Sequence, residues 1–174
     1  KGLFDGVMNM HGILRKIERA GMDPKTNKGG KPIACVLPGT ALGIGLELPL
    51  SCHRIFAADN PKAKIGLPEI MVGIFPGAGG TTRLTRKMGA MAASPFLLQG
   101  KMVDPKKAKA AGIIDEVCED PMADAKAWVL SEPNIVKPWD AKGYKMPGGE
   151  PYHPAGFMTF VGASAMVNGN TWGV

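Results

Sequence analysis

Apolar side chains near the start of the chain recur at steps of three and four residues, the spacing of an amphipathic helix. These positions are Leu3, Phe4, Val7, Met10, Leu14 and Ile17. Gly21 supplies a stop signal after them, and the polar stretch 22–30 predicts a loop. A helix with no strand before it favours an N-terminally truncated chain; a protein that simply begins with a helix is the alternative.

Short apolar runs with β-branched members predict the strands, and helical patterns separate them. The predicted strands are 31–37, 54–58, 65–67 and 113–118. The predicted helices after the first are 46–52, 81–88, 90–98, 105–111 and 121–130. Because strands alternate with helices, the sequence predicts an α/β fold with mainly parallel strands.

Capping residues indicate where several helices begin. Asp104 is followed by proline, an arrangement typical of a helix start, and Asp120 with Pro121 opens the last predicted helix in the same way. Thr81 and Thr82 are the capping candidates for the helix that runs to residue 88.

Two features work against regular structure. Pro49 is tolerable only in the first turn of its predicted helix, because proline has no N–H to donate. Residues 131–174 combine many prolines and glycines with weak periodicity. We therefore divide the chain into a domain at 1–130 and a linker or domain-edge segment at 131–174.

Composition narrows the class of protein. The chain has 174 residues, the size of one domain, with 45% hydrophobic and 21% charged residues, which argues against disorder. No apolar run approaches the roughly 18 residues of a membrane span.

Three separated cysteines without a C-x-x-C pair argue against a disulfide scaffold or zinc site and favour a reducing compartment. The net charge of +6 is compatible with binding to a nucleic acid, a membrane surface or a phosphorylated small ligand. The alternative is that the charge only keeps the protein in solution.

Two glycine-rich turns are candidates for nucleotide binding, but neither has the residue spacing of a known nucleotide-binding motif. The turn GTALGIG lacks the third glycine of a dinucleotide fingerprint, because Leu48 stands there, and PGAGGTT lacks the lysine of a phosphate loop. A serine hydrolase is also disfavoured, since the chain has no G-x-S-x-G motif and Ser164 lies in GASAM.

Proton transfer beside an enolate fits the first turn better. Backbone N–H groups at a glycine-rich helix start can stabilise a developing oxyanion. Glu47 lies in that first helical region, and Glu69 follows Pro68 after a short strand. The alternative, favoured on spacing alone, is that Glu47 only complements its helix dipole and Glu69 is a solvated loop residue.

A longer segment favours catalytic roles for the two glutamates over the structural alternative. KPIACVLPGTALGIGLELPLSCHRIFAADNPKAKIGLPEIMVGIFPGAGGTTRLTRKMG closely resembles the enoyl-CoA hydratase/isomerase (crotonase) family, with the match running from about Lys31 to Val117. The sequence of this segment is most similar to the hydratase part of multifunctional fatty-acid oxidation enzymes. KPWDAKGYKMPGG resembles their connector to a 3-hydroxyacyl-CoA dehydrogenase part, which this chain lacks.

The resemblance implies a fold and a reaction. The fold would be a crotonase-type (ClpP/crotonase-like) α/β spiral of ββα turns, N-terminally truncated. The reaction would be hydration of 2-enoyl-CoA, with 3-enoyl to 2-enoyl isomerisation as a secondary activity. Glu47 would activate the water and Glu69 would protonate the α-carbon. The Ile44 N–H would be one oxyanion donor; the second comes from an earlier loop whose motif is not found here.

The resemblance also assigns a set of substrate- or water-binding residues and no metal ligand. That set is Gly43, Gly45, Pro68, Pro76 and Gly77. Two positions depart from the family pattern: Ile44 stands where the family usually has glycine, which keeps the backbone donor but adds a β-branched side chain, and Pro49 replaces a small helix former.

Cofactor and partner expectations follow from the same resemblance. The chain would bind no permanent cofactor, would take a coenzyme A thioester as substrate, and would involve NAD only in the dehydrogenase part. We expect no nucleic-acid partner, no membrane span, and either a homo-oligomer (a trimer in the family) or a complex with a thiolase subunit. The compartment would be bacterial cytoplasm, or the mitochondrial matrix if the chain is eukaryotic. The competing hypotheses are a non-catalytic binding protein with this fold and an inactive fragment.

Overall fold

The computed structural model describes residues 2–150 and 152–168. The helices are α1 (Gly2–Glu18), α2 (Ile44–Ser51), α3 (Gly80–Met88), α4 (Ala90–Leu98), α5 (Pro105–Ala110), α6 (Pro121–Ser131) and α7 (Pro154–Asn168). The strands are β1 (Ala34–Leu37), β2 (Ala41–Leu42), β3 (Arg54–Ala58), β4 (Ile65–Gly66), β5 (Met102–Val103) and β6 (Glu116–Cys118). Short 3₁₀ helices lie at Pro68–Val72 and Pro138–Asp140.

The strands form two small sheets. In the first, β1, β3 and β6 are all parallel, with Ala34 opposite Arg54 and Phe56 opposite Glu116. In the second, β2 pairs with β4 in parallel and β4 pairs with β5 antiparallel. The prediction of mainly parallel strands is therefore confirmed. β2 and β5 were not predicted: β2 lies inside the glycine-rich stretch that was interpreted as a turn, and β5 is a two-residue strand between two helices.

The hydrophobic core lies between the sheets and the helices that cover them. Its fully buried apolar side chains are Leu46, Leu50, Ile55, Ile65, Leu67, Leu84, Ile113 and Ile114. Burying an aliphatic side chain of this size stabilises a fold by about 1.5–3 kcal/mol. Because α2 contributes two of these side chains and packs on α1 and α3, its position is fixed by the core.

Two expectations about helix starts are wrong. α3 is capped by Gly79, whose φ of 92° is left-handed, and not by Thr81 or Thr82. The preceding glycines can take that backbone conformation, so the helix begins earlier than the first hydroxyl side chain. α2 begins at Ile44, which places Pro49 at the sixth helical position and outside the first turn. The helix ends two residues later, so the missing N–H costs a single intrahelical bond.

The segment from residue 131 is more ordered than its composition indicates. Ile135 donates to the Gly30 carbonyl over 2.8 Å, and the buried Lys137 donates to the carbonyls of Leu50 and Cys52 at the end of α2. Helix α7, which weak periodicity did not predict, packs on α4. The division of the chain at residue 130 stays a prediction, and residues 151 and 169–174 lie outside the described part.

Within residues 2–150 and 152–168, none of the helices combines the length and the apolar character needed to cross a membrane. The three cysteines, Cys35, Cys52 and Cys118, are free thiols.

Candidate active site

The turn from β2 into α2 sets up the first half of the site. Gly43 caps the helix with a φ of 57°, and its N–H donates to the Gly66 carbonyl of β4 over 3.2 Å. Its own carbonyl accepts from the N–H groups of Leu46 and Glu47. Ile44 is the first residue of the helix, so its N–H has no intrahelical acceptor. That N–H is available at the positive end of the helix dipole.

Glu47 is held by backbone donors from a different part of the chain. Its side chain is only 2% exposed, and its Oε1 accepts from the Ala78 N–H at 2.9 Å and from the Gly80 N–H at 2.7 Å. Backbone N–H groups aimed at one oxygen match a charged carboxylate acceptor. Because both bonds use Oε1, Oε2 is the atom left for a water or a substrate.

The glycines at the start of α3 make this contact possible. A Cβ at Gly80 would lie 2.9 Å from Glu47 Oε1 and 3.0 Å from Glu47 Cγ, closer than real Cβ contacts allow. The absence of a side chain at this position lets the N–H approach the carboxylate directly.

Glu69 lies in the 3₁₀ helix that follows β4, against the start of α2. Its Oε1 is 3.3 Å from the point where a Cβ on Gly43 would lie. Its Oε2 is buried and has no hydrogen-bond partner among the described residues. Desolvation raises the pKa of Glu69, and the nearby charge of Glu47 raises it further. The structure thus brings the two carboxyl groups within electrostatic reach of one another.

The other residues predicted for the site occupy its edges. Pro68 is the first residue of the 3₁₀ helix that carries Glu69. Pro76 is buried and Gly77 is exposed, and they begin the loop whose next residues bind Glu47. Gly45 is exposed, and a Cβ there would meet nothing within 4 Å. Gly45 therefore joins the site through its place in the first turn of α2 and not through a contact with either glutamate.

Sequence reasoning missed the residues that hold the loop. Ala78 and Gly80 supply the donors to Glu47, and the signal was the position of the PGAGG run just before a helix. Glu18 and Arg83 form a buried ion pair at 2.8 Å behind that loop. Glu18 lies four residues after the apolar Leu14, on the buried face of α1. A charged residue at a core position of a helix was the available signal.

Exposed apolar side chains lie on the same segments as the two glutamates. Ile44 and Leu48 flank Glu47 on α2, and Ile44 is 56% exposed. The others follow Glu69 directly in the chain: Ile70, Met71, Val72, Ile74 and Phe75. Such clustered exposure marks a surface that meets an apolar ligand or partner.

The sequence of this chain is similar to that of one protein family over more than half of its length. The family model described as enoyl-CoA hydratase/isomerase matches residues 24–132. A peroxisomal fatty acid beta-oxidation multifunctional protein from Oryza sativa subsp. japonica is 40% identical over 113 residues, covering 64% of this chain and 15% of the relative. The fatty acid oxidation complex subunit alpha of Shewanella amazonensis is 43% identical over 86 residues, covering 49% of this chain and 12% of the relative.

The fold has solved counterparts as well. The crystal structure of enoyl-CoA hydratase from Thermoplasma volcanium GSS1 superimposes with a TM-score of 0.60 at 27% identity, covering 97% of this chain and 56% of that chain. The chain spans about an eighth to a seventh of the length of the curated relatives it matches.

Proposed function

The chain belongs to the enoyl-CoA hydratase/isomerase family and has a partial crotonase fold, and on this premise we propose that it hydrates 2-enoyl-CoA to 3-hydroxyacyl-CoA in fatty-acid β-oxidation. Isomerisation of 3-enoyl to 2-enoyl thioesters is the proposed secondary activity. The names of the rice and Shewanella relatives support the placement in fatty-acid oxidation.

One observation carries the proposal: the two carboxyl groups have opposite surroundings. Glu47 is bound by two backbone N–H groups, whereas Glu69 has a raised pKa and a buried oxygen to which none of the described residues donates. Two carboxyl groups in such different surroundings suit a reaction that removes one proton and delivers another.

The proposed hydration uses both groups. Glu47 Oε2 accepts a proton from a water molecule near the Gly77 backbone while the water oxygen bonds to the β-carbon. The electrons of the double bond move to the thioester oxygen, where the Ile44 N–H stabilises the negative charge. Glu69 then gives its proton to the α-carbon. The proton on Glu47 returns to Glu69 through water, which restores both groups for the next turnover.

The competing hypotheses predict other arrangements. A non-catalytic binding protein needs neither carboxyl group, yet both are present and Glu47 is firmly held. An enzyme that only isomerises needs Glu69 alone. The water-binding part of the proposal therefore depends on Glu47.

The remaining assignments are proposals of the same kind. The substrate is an acyl-CoA thioester, the exposed apolar residues beside the glutamates suit its acyl chain, and no permanent cofactor takes part. A homo-oligomer or a complex with a thiolase subunit is the proposed assembly. The cytoplasm, or the mitochondrial matrix for a eukaryotic chain, is the proposed compartment; the name of the rice relative places that protein in the peroxisome.

The test is the loss of enoyl-thioester absorbance when a short 2-enoyl-CoA is added. The 174-residue chain and the complete gene product are measured side by side, each also with a 3-enoyl-CoA. Hydration that disappears in Glu47→Gln supports the proposal. A complete gene product that isomerises but does not hydrate would overturn it in favour of an isomerase. Activity in the complete product alone would identify the 174-residue chain as an inactive fragment.

A further inference from the structure

Arg83 binds the other side of the loop that holds Glu47. It lies in the first turns of α3, and its side chain is 7% exposed. Its Nη1 donates to the Ala78 carbonyl at 2.9 Å, while its Nε donates to Glu18 Oε1 at 2.8 Å. Ala78 is thus held at both ends: its N–H binds Glu47 and its carbonyl binds Arg83.

Gly79 shows how closely the guanidinium fits the loop. A Cβ at this position would lie 2.3 Å from Arg83 Nη1, and its φ of 92° disfavours any other residue. Gly80 is crowded less severely by Glu47, whose Oε1 would lie 2.9 Å from a Cβ there. The loop therefore lies between two charged side chains, and a displacement of one moves the backbone that binds the other.

The ion pair behind the loop extends to the C-terminal part of the chain. Glu18 Oε2 accepts from Arg15 at 2.8 Å, and Arg15 also donates to both carboxylate oxygens of Asp140. Two acids and two arginines balance to zero net charge in a largely buried place. Such networks add little net stability compared with apolar packing, but they impose a defined geometry when every member is bonded.

We propose that Glu18 and Arg83 are positioning residues for Glu47: they fix the Ala78–Gly80 backbone so that its two N–H groups point at Glu47 Oε1. The importance of this for turnover rests on the proposed function. The geometric part of the proposal does not, since the loop contacts are independent of the reaction.

The decisive variant replaces both charges at once. Glu18→Met with Arg83→Met leaves no unpaired charge in the interior, so the double variant folds, but the Ala78 carbonyl loses its donor. Arg83→Lys keeps the charge but loses the rigid planar fork whose Nε and Nη1 bind Glu18 and the Ala78 carbonyl separately. Arg54→Lys is the matched control, because Arg54 forms an ion pair with Glu116 away from the site.

Two measurements test the proposal. The first is amide hydrogen exchange at Ala78 and Gly80 by NMR, with Glu47→Ala as the reference for a loop without its acceptor. We expect exchange in the double variant to rise about tenfold or more, toward that reference, in a protein that still melts cooperatively. The second is hydration kinetics. Because a misplacement of about 1 Å costs about 100-fold, kcat should fall 10- to 100-fold in Arg83→Lys and in the double variant, with KM changed by less than about threefold.

The outcomes separate the two proposals. A folded double variant with wild-type exchange and wild-type kcat overturns the positioning role, and so does an equal loss in Arg54→Lys. If the wild-type protein hydrates no enoyl thioester, the proposed function fails, and the exchange measurement still decides whether Glu18 and Arg83 hold the loop.

Discussion

Replacing Gly80 by alanine adds one methyl group at the contact with Glu47. The new Cβ would lie 2.9 Å from Glu47 Oε1, about 0.5 Å short of ordinary van der Waals contact, and 3.0 Å from Leu67 Cδ1 in the core. The carboxylate is the more movable neighbour, so we expect it to be displaced and its bonds to the loop to lengthen.

The magnitude follows from two opposing terms. Alanine is favoured over glycine in a helix by about 0.5–1 kcal/mol, whereas overpacking a tight site costs about 1–3 kcal/mol. The net loss of unfolding free energy is therefore about 0–2.5 kcal/mol. A displacement of half an ångström at the base should lower kcat for hydration by about 10- to 100-fold.

Gly12→Ala is the matched control for this prediction. Gly12 lies in the interior of α1, and an added Cβ meets nothing within 4 Å. It should stabilise the protein by about 0.5–1 kcal/mol without changing hydration. Both variants are compared by thermal melting and by the enoyl-thioester assay. A Gly80→Ala protein that is as active as the wild type and melts at a higher temperature would refute the steric argument.

Three further predictions concern single charged groups. Glu47→Gln should lower the rate of hydration by about 100- to 10,000-fold and the rate of 3-enoyl isomerisation less, because isomerisation consumes no water. The same variant should lower the pKa of Glu69, measured by carboxyl NMR, since the charge of Glu47 helps to raise that pKa. Glu69→Gln should lower both activities, and full isomerisation in this variant would contradict the mechanism. Burial lowers the pKa of Lys137 from 10.5 to about 8. Between about pH 8 and pH 10.5 the unfolded chain therefore binds one more proton at this lysine than the folded protein does. The contribution of Lys137 to the free energy of unfolding accordingly rises with pH across this range. Lys137→Met should remove that rise, up to about 3 kcal/mol, in urea unfolding measured from pH 7 to pH 10; an identical pH dependence in both proteins would contradict it.

Long apolar patterns predicted the framework of the fold. β3 was predicted at 54–58 and is found there, and α4 matches its predicted range. Strand β6 is shorter than its apolar run, because Ile113 and Ile114 are buried in a turn before pairing begins at Glu116. Burial makes a run apolar whatever its backbone conformation, so the pattern located the core better than the strand ends.

Local signals failed where tertiary contacts decide. The predicted cap at Thr81 or Thr82 is displaced because the glycines before them bring backbone N–H groups to Glu47. The segment after residue 131 lacks a clear pattern, yet Lys137 and Asp140 tie it to α2 and α1. These contacts join residues more than 80 positions apart, and no local propensity records them.

Both glutamates were predicted from the sequence, and the family resemblance alone implied different roles for them. Their spacing gave no physical reason for that difference, because each lies close to a glycine- or proline-containing turn. The backbone distinguishes them: Glu47 accepts from the N–H groups of Ala78 and Gly80, while Glu69 lies near the charge of Glu47 and has a buried oxygen that receives no hydrogen bond within residues 2–150 and 152–168. Desolvation, together with the like charge of Glu47, raises the pKa of Glu69. The proposed roles of Glu47 as base and Glu69 as acid are therefore supported by the loop before α3, whose glycines bring the backbone donors to Glu47 alone.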